Sequence, residues 1–262
     1  MPPVRLDEAS FLTEVERIVA AAESRGIPLR ALGGVGIYYR VRSDPVARAV
    51  YLHRHGPDHG GAPRFKDLDL ASLEKSSSGI YKLFVKELRF SEDVETNALF
   101  GMYRNIYFHP HFVIDIFYDV LRFSHRIPLA GRFPPGLTLS PEDLFLGKAQ
   151  IHRITGPDLV DLAALLTALP LDNMDRAYLT RLLGDDWGLW YDVRTNVEGV
   201  VRMLQDWKPE ERRLTRAEID RARARANAGI EFLDRIPKTK KWERRAGKGT
   251  AEQWFEDVDD VR

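Results

Sequence analysis

The stretch from Phe65 to Ala71 constrains this chain more than any other segment. Its residues alternate with a period of two, as a strand does, so Leu68 and Leu70 point one way while Asp67 and Asp69 point the other. Two carboxylates on one strand face repel each other, and covering them with protein removes the water that would offset that repulsion. A fold accepts such a pair only where the face meets water or cations. A second segment, Phe112 to Val120, is dense in aromatic and β-branched residues and reads as a central strand. Val113, Asp115, Phe117 and Asp119 share one of its faces. Asp115, between Ile114 and Ile116, is the more interior acid and the preferred third member of a carboxylate cluster, with Asp119 as the alternative. Such hard oxygen donors suit Mg²⁺ or Mn²⁺, and two ions roughly 3.5–4 Å apart can hold the attacking and leaving oxygens of an in-line phosphoryl displacement.

Upstream, Phe11, Leu12, Val15, Ile18, Val19 and Ala22 recur at helical spacing, and Gly26 and Pro28 end that helix. Leu29 to Leu32 then feeds the Gly33-Gly34 pair, with Val35 to Arg40 continuing as a helical turn. Paired glycines let a backbone approach a triphosphate closely and offer unhindered N–H donors, although a Gly-Gly pair alone is more often a tight turn. Residues 42–63 are rich in Arg, His, Gly, Pro and Asp with little periodicity, so they read as an exposed excursion. A helix is expected around Ile80 to Leu88, and Arg104 to Phe108 with the His109-Pro110-His111 turn forms a hairpin into the second strand. Beyond residue 138 the pattern is helical. Ser140, Pro141, Glu142 and Asp143 make a helix start, and further helices are expected at 159–169, 174–183, 197–204 and 217–233. The reading is therefore an α+β chain with a sheet domain at 1–137 and a helical C-terminal domain at 138–262.

Composition excludes several chemistries. The chain has no cysteine, which removes disulfides, thiolate metal sites and cysteine nucleophiles. The 39 basic and 39 acidic side chains balance, so the whole molecule does not attract polyanions by net charge. No uninterrupted apolar run is long enough to span a membrane, and Met1 to Ser10 has no apolar leader character, which makes a cytoplasmic location the default expectation. Between Arg202 and Lys248, 15 basic residues face 8 acidic ones. A solvated helix face with a compensating acidic tail at 252–260 is the commoner meaning of such a run, and a surface for a polyanionic acceptor is the sharper one. No serine-hydrolase elbow or P-loop is present. His53, His55 and His59 have a zinc-like spacing, but a solvated loop is the favoured reading. His109, His111, His125 and His152 read as hydrogen-bonded structural histidines. Trp187, Trp190 and Trp207 suit helix packing.

Taken together, Leu32-Gly33-Gly34-Val35-Gly36, Arg64-Phe65-Lys66-Asp67-Leu68-Asp69-Leu70 and Val113-Ile114-Asp115-Ile116-Phe117 resemble the DNA polymerase beta-like nucleotidyltransferase superfamily. Its pattern is a glycine turn, an Asp-apolar-Asp strand and a third Asp on a later strand. The chain is more closely similar to the branch that includes abortive-infection type toxin nucleotidyltransferases, through Ser140-Pro141-Glu142-Asp143-Leu144, Lys148 and Asp158-Leu159-Val160-Asp161-Leu162. Segments 182–196 and 236–245 look like those of uncharacterised bacterial nucleotidyltransferase-like proteins. One departure is that Asp67 lies 33 positions after Gly34, where the superfamily places it about a dozen residues on; a surface insertion at 42–63 accounts for the difference. Another is that Val35 and Gly36 offer no hydroxyl.

The resemblance implies a nucleotidyltransferase fold, a small mixed β-sheet flanked by helices, with a helical bundle behind it. It implies that Asp67, Asp69 and Asp115 carry Mg²⁺ or Mn²⁺. Gly33, Gly34, Arg64, Lys66 and Lys148 become candidates for the nucleoside triphosphate, whose nucleoside monophosphate passes to an acceptor hydroxyl with release of pyrophosphate. A tRNA end, as for a toxin with an antitoxin partner, and a small hydroxylated molecule are the alternative acceptors. A binding or interaction module that keeps the fold without turnover is the alternative of another class.

Overall fold

The computed structural model describes residues 6–56, 61–129 and 131–257. His59, part of the 42–63 stretch and the acidic residues beyond Asp257 lie outside them. Asp7 caps helix α1 (Glu8–Glu23) by accepting from the Ser10 amide, and Phe11, Leu12, Val15, Ile18, Val19 and Ala22 form its buried stripe as their spacing predicts. Strand β1 (Arg30–Ala31) leads into helix α2 (Gly33–Val41), and α3 (Pro45–Leu52) follows. Strand β2 (Asp67–Ser72) carries the alternating acids. Helix α4 (Ser77–Tyr81) runs on into a π-helical turn, Lys82–Glu87, where one continuous helix was expected. Strand β3 (Ser91–Glu92), helix α5 (Val94–Phe100), strand β4 (Arg104–Phe108) and strand β5 (Val113–Tyr118) complete the main sheet, and β6 (Val120–Arg122) pairs with β7 (Arg126–Pro128) as a small ribbon.

The main sheet has the order β1-β2-β5-β4-β3. Its β2–β5 pair is parallel and the other pairs are antiparallel, so the sheet is mixed. One face is core: Leu68, Leu70, Ile114, Ile116, Tyr107 and Tyr118 are buried there. Phe11 of α1 stacks on Phe65 with ring centroids 4.5 Å apart, and Phe84 of the π turn meets Tyr107 at 4.9 Å. The other face carries Asp67, Asp69, Asp115, Phe117 and Arg104 and is only partly covered.

The remaining helices are α6 (Pro141–Ala149), α7 (Gly156–Ala168), α8 (Arg176–Leu183), α9 (Trp187–Gln205), α10 (Pro209–Arg212), α11 (Arg216–Arg235) and α12 (Lys240–Ala246). Helix α6 starts at Pro141 as its sequence predicts, and Thr215 with Glu218 closes a capping box at the start of α11. Helix α7 is buried from Val160 through Thr167 on every side, which marks it as the centre of the bundle. Around it pack α3, α6, α9 and α11. The architecture is α+β, with a mixed sheet and a helical C-terminal region.

The chain forms two compact units, one of residues 1–39, 59–121 and 127–140, the other of 40–58, 122–126 and 141–262. Two short segments from the first half, 40–58 and 122–126, belong to the helical unit. The first of these corrects the reading of 42–63 as an exposed excursion. Asp44 accepts from the amides of Val46 and Ala47, Pro45 occupies the first helical turn, and Ala47, Val50, Tyr51, Leu52 and His53 are buried. The cap and the first-turn proline were present in the sequence. Eight helical residues are too few to reveal a period against their Arg- and His-rich flanks.

Candidate functional site

Parallel pairing of β2 with β5 sets Asp69 directly opposite Asp115, and Asp67 opposite Val113. Register partners lie on the same face of a sheet, on strands about 4.8 Å apart, so the three acids expected to cluster do share one face. Asp115 is half-buried, Asp69 partly covered and Asp67 exposed. The hydrophobic alternation enforces this: slipping either strand by one residue would drive Leu68, Leu70, Ile114 and Ile116 into water.

The glycine turn sits against the same strand. The Leu32 amide donates to the Asp69 carbonyl at 3.0 Å, and α2 begins at the next residue. Gly33 has a φ of +60°, and a methyl group added to it would come within 2.1 Å of Asp69 Oδ2. Glycine is therefore required twice over, by backbone hand and by the carboxylate against it. The first turn of α2 stands beside the acidic face. A helix start of this kind attracts phosphate oxygens.

Arg104 is the residue that the sequence reading missed. Its Nε donates to Asp115 Oδ1 at 2.8 Å, and its guanidinium lies 5.6 Å from the centre of the Phe117 ring. On the antiparallel β4–β5 pair Arg104 stands opposite Phe117, one diagonal step from Asp115. The pairing of Arg104 to Phe108 with 112–120 as a hairpin contained that diagonal, but only the register reveals it. Among the described residues no three His, Asp or Glu side chains are grouped so as to hold a metal ion. The three acids share a face without forming a preassembled metal cluster, and Arg104 neutralises one of them. The donor set itself is all hard oxygen, which fits Mg²⁺ or Mn²⁺ and not a softer ion.

Arg64 and Lys66 are exposed on the segment leading into β2, and the Lys66 carbonyl accepts from the Val113 amide at 3.4 Å. Lys148 belongs to the helical unit. Its Nζ donates to Asp158 Oδ1 at 2.6 Å and lies 3.4 Å from Asp161 Oδ2. Burial pulls the ammonium toward neutrality, and the two aspartates more than reverse this, so its pKa rises. Lys148, a candidate triphosphate ligand from the sequence, is thus part of an interior charge network.

The histidines have structural partners. His53 Nε2 lies 2.7 Å from the Arg212 carbonyl, and His109 stacks on Phe112 at 4.1 Å. His125 Nε2 and His152 Nδ1 both lie within 2.9 Å of the Asp192 carboxylate, which also accepts from the Trp254 indole at 3.1 Å. Trp187 and Trp207 are buried, and the Trp190 indole donates to the Leu233 carbonyl.

No family model and no curated protein matches the sequence. Among solved structures, the chain is similar to the antibiotic-resistance factor ANT(2'')-Ia, whose solution structure is described as revealing substrate-regulated conformation dynamics. The identity is 15% and the TM-score 0.41, over 67% of this chain and 94% of that one. At that degree of superposition the likeness decides neither fold nor chemistry. No helix among the described residues is long and apolar enough to cross a membrane.

Proposed function

We propose that this protein is a metal-dependent nucleotidyltransferase that moves a nucleoside monophosphate from a nucleoside triphosphate to an acceptor hydroxyl. The observation that carries the reading is the contact of Gly33 with Asp69, together with the register that sets Asp69 beside Asp115. A helix start of the kind that suits phosphate beside a carboxylate face of the kind that suits divalent cations supports this reading. Asp67, Asp69 and Asp115 would hold Mg²⁺ or Mn²⁺. When bound, the cations would neutralise the triphosphate and make its α-phosphorus more electrophilic. Asp115 would accept the proton of the acceptor hydroxyl, whose oxygen forms the new bond to the α-phosphorus as the bond to pyrophosphate breaks. The amides of Gly33 and Gly34 would orient the triphosphate, with Arg64 and Lys66 as flanking cations and Lys148 holding the bundle in shape.

A small hydroxylated acceptor is favoured over a tRNA end. Part of the basic run of the last third is paired within its own unit, which thins the positive surface open to a polyanion: Arg221 pairs with Asp44, Arg223 with Asp220, Arg235 with Glu231, Lys241 with Asp185 and Lys248 with Glu252. The decisive experiment supplies labelled triphosphates, Mg²⁺ or Mn²⁺, and both acceptor classes. Transfer is expected to fall about a hundredfold or more in Asp67→Ala and in Asp69→Ala; transfer that persists in both variants refutes the reading. Transfer to tRNA with a steep salt dependence would overturn the acceptor assignment alone.

The ion pair of Arg104 with Asp115 favours one other reading, a module that binds nucleotide without turnover. Metal-dependent triphosphate binding with no pyrophosphate release from any acceptor would select it.

A further inference from the structure

Exposed large apolar side chains are concentrated in one short segment of the described chain. Among the described residues the large apolar side chains that stand exposed are Val94, Leu99, Phe100, Met102, Tyr103 and Phe108, and five of these fall in the ten positions from Val94 to Tyr103. Leu99 is 77% exposed, Met102 67% and Val94 66%. Apolar residues scattered singly on a surface need no explanation, but a patch this dense in α5 and the turn after it does.

The helix is not exposed because it is loose. The Asn97 side chain donates to the Ile106 carbonyl at 3.1 Å and accepts from the Ile106 amide at 2.7 Å, so it pairs with β4 as another strand residue would. Asp93 caps the helix through the Thr96 amide, and its own amide donates to the Ile106 carbonyl. The helix is therefore pinned along the sheet edge where two-residue β3 stops, with its apolar side chains held outward on a fixed support. The outward amide and carbonyl of Ile106 are thus already satisfied, so recognition beside α5 runs through side chains.

Charge selects the occupant. From Phe90 to Tyr103 the chain carries Glu92, Asp93 and Glu95 and no lysine or arginine; Arg89 and Arg104 bracket this stretch, and Arg104 is committed to Asp115. None of the three acids forms an ion pair with a described residue. An isologous contact with a second copy would set this acidic rim against itself, and anionic lipid or nucleic acid would meet the same repulsion. We propose that α5 and its following turn form a docking surface for a protein partner that presents an amphipathic helix with an apolar stripe flanked by lysine or arginine.

The test uses a synthetic Leu/Lys amphipathic peptide of about 18 residues, its Leu/Glu counterpart, and vesicles of phosphatidylcholine with phosphatidylserine. The Leu/Lys peptide is expected to bind the full chain, with affinity falling as salt rises, and the Leu/Glu peptide is expected not to. Leu99→Asp and Met102→Asp, both at exposed positions and checked for unchanged melting, are expected to weaken binding by about tenfold or more. Glu95→Lys is expected to weaken the Leu/Lys peptide and admit the Leu/Glu one. Equal binding of the peptide to wild type and to the aspartate variants overturns the proposal, as does no binding to either. Self-association abolished by Leu99→Asp would assign the surface to a second copy, and vesicle binding abolished by it would assign the surface to lipid; each of these outcomes also overturns the proposal.

Discussion

Arg54 Nε stands 3.0 Å from Asp161 Oδ1, and the two residues come from opposite halves of the sequence. Asp161 is sealed from water in the middle of α7, with Lys148 near its other oxygen. Burial raises its pKa, while Asp158 beside it is pulled down by Lys148 and Thr155 against its own burial. Two cations and two anions thus close a neutral network inside the bundle. Removing one partner of such a network leaves a buried charge uncompensated, at about 3–5 kcal/mol. Arg54→Leu and Lys148→Met are each expected to destabilise the helical unit on that scale in denaturant titrations. A change below about 0.5 kcal/mol would show that the charges are not interior.

Replacing residues 42–63 by a short flexible link should not behave like trimming a surface loop. It removes Val50 and Tyr51 from the core and Arg54 from Asp161. Loss of cooperative melting in the helical unit is the expected outcome. Melting within a few degrees of the parent would mean that α3 is dispensable.

Gly33→Ala forces a side chain into a left-handed backbone and against a carboxylate oxygen. The backbone strain alone is about 1–2 kcal/mol. Triphosphate affinity measured by calorimetry is expected to fall about tenfold or more, with the rest of the fold retained in amide spectra. Gly26→Ala, at a left-handed turn with open space around it, serves as the control: it should lower stability without changing affinity.

Arg104→Ala separates two effects of one side chain. Without the guanidinium, Asp115 loses its cationic partner and Mn²⁺ should bind several-fold tighter. The carboxylate also loses its fixed orientation, so turnover should fall even at saturating metal. Arg104→Lys would retain the charge and lose the planar donor. Weaker metal binding in Arg104→Ala would show that the arginine assists the acids instead of competing for them.

Asp192 gives a pH prediction. Burial raises its pKa, but hydrogen bonds from His125, His152 and Trp254 outweigh that and hold it below the ordinary aspartate range. A carboxylate depressed in the folded state stabilises at pH above its unfolded value, about 3.9, and the stabilisation disappears as pH falls through the lower folded value. Protection factors for hydrogen exchange at Gln253 to Asp257 should therefore fall below about pH 4. In Asp192→Asn they should be low at neutral pH as well.

Where the sequence was informative, short-range periodicity was enough. The alternation at Phe65 to Ala71 and the apolar run around Asp115 fixed which way the acids point, and only the pairing of strands, which is long-range, could say that Asp69 and Asp115 are neighbours. The Ser140-Pro141 start and the α1 stripe were equally legible, because caps and helical spacing are local. Arg104 escaped notice because its role exists only across a strand pair. Helix α3 escaped because an eight-residue helix buried by distant partners has a weak pattern of its own. Lys148 reads in the sequence as a candidate phosphate ligand, while its aspartate partners lie a helix away, where spacing gives no guidance.

The early position of α3 also bears on synthesis. Ribosomes release Pro45–Leu52 about a hundred residues before the first residue of α7 exists to receive it. During that interval the apolar side of α3 has no home, while strands on both flanks of it can already assemble. The nascent chain therefore carries an apolar helix without its packing partner until α7 is made, and premature termination before α7 would leave that helix for proteases and chaperones to find.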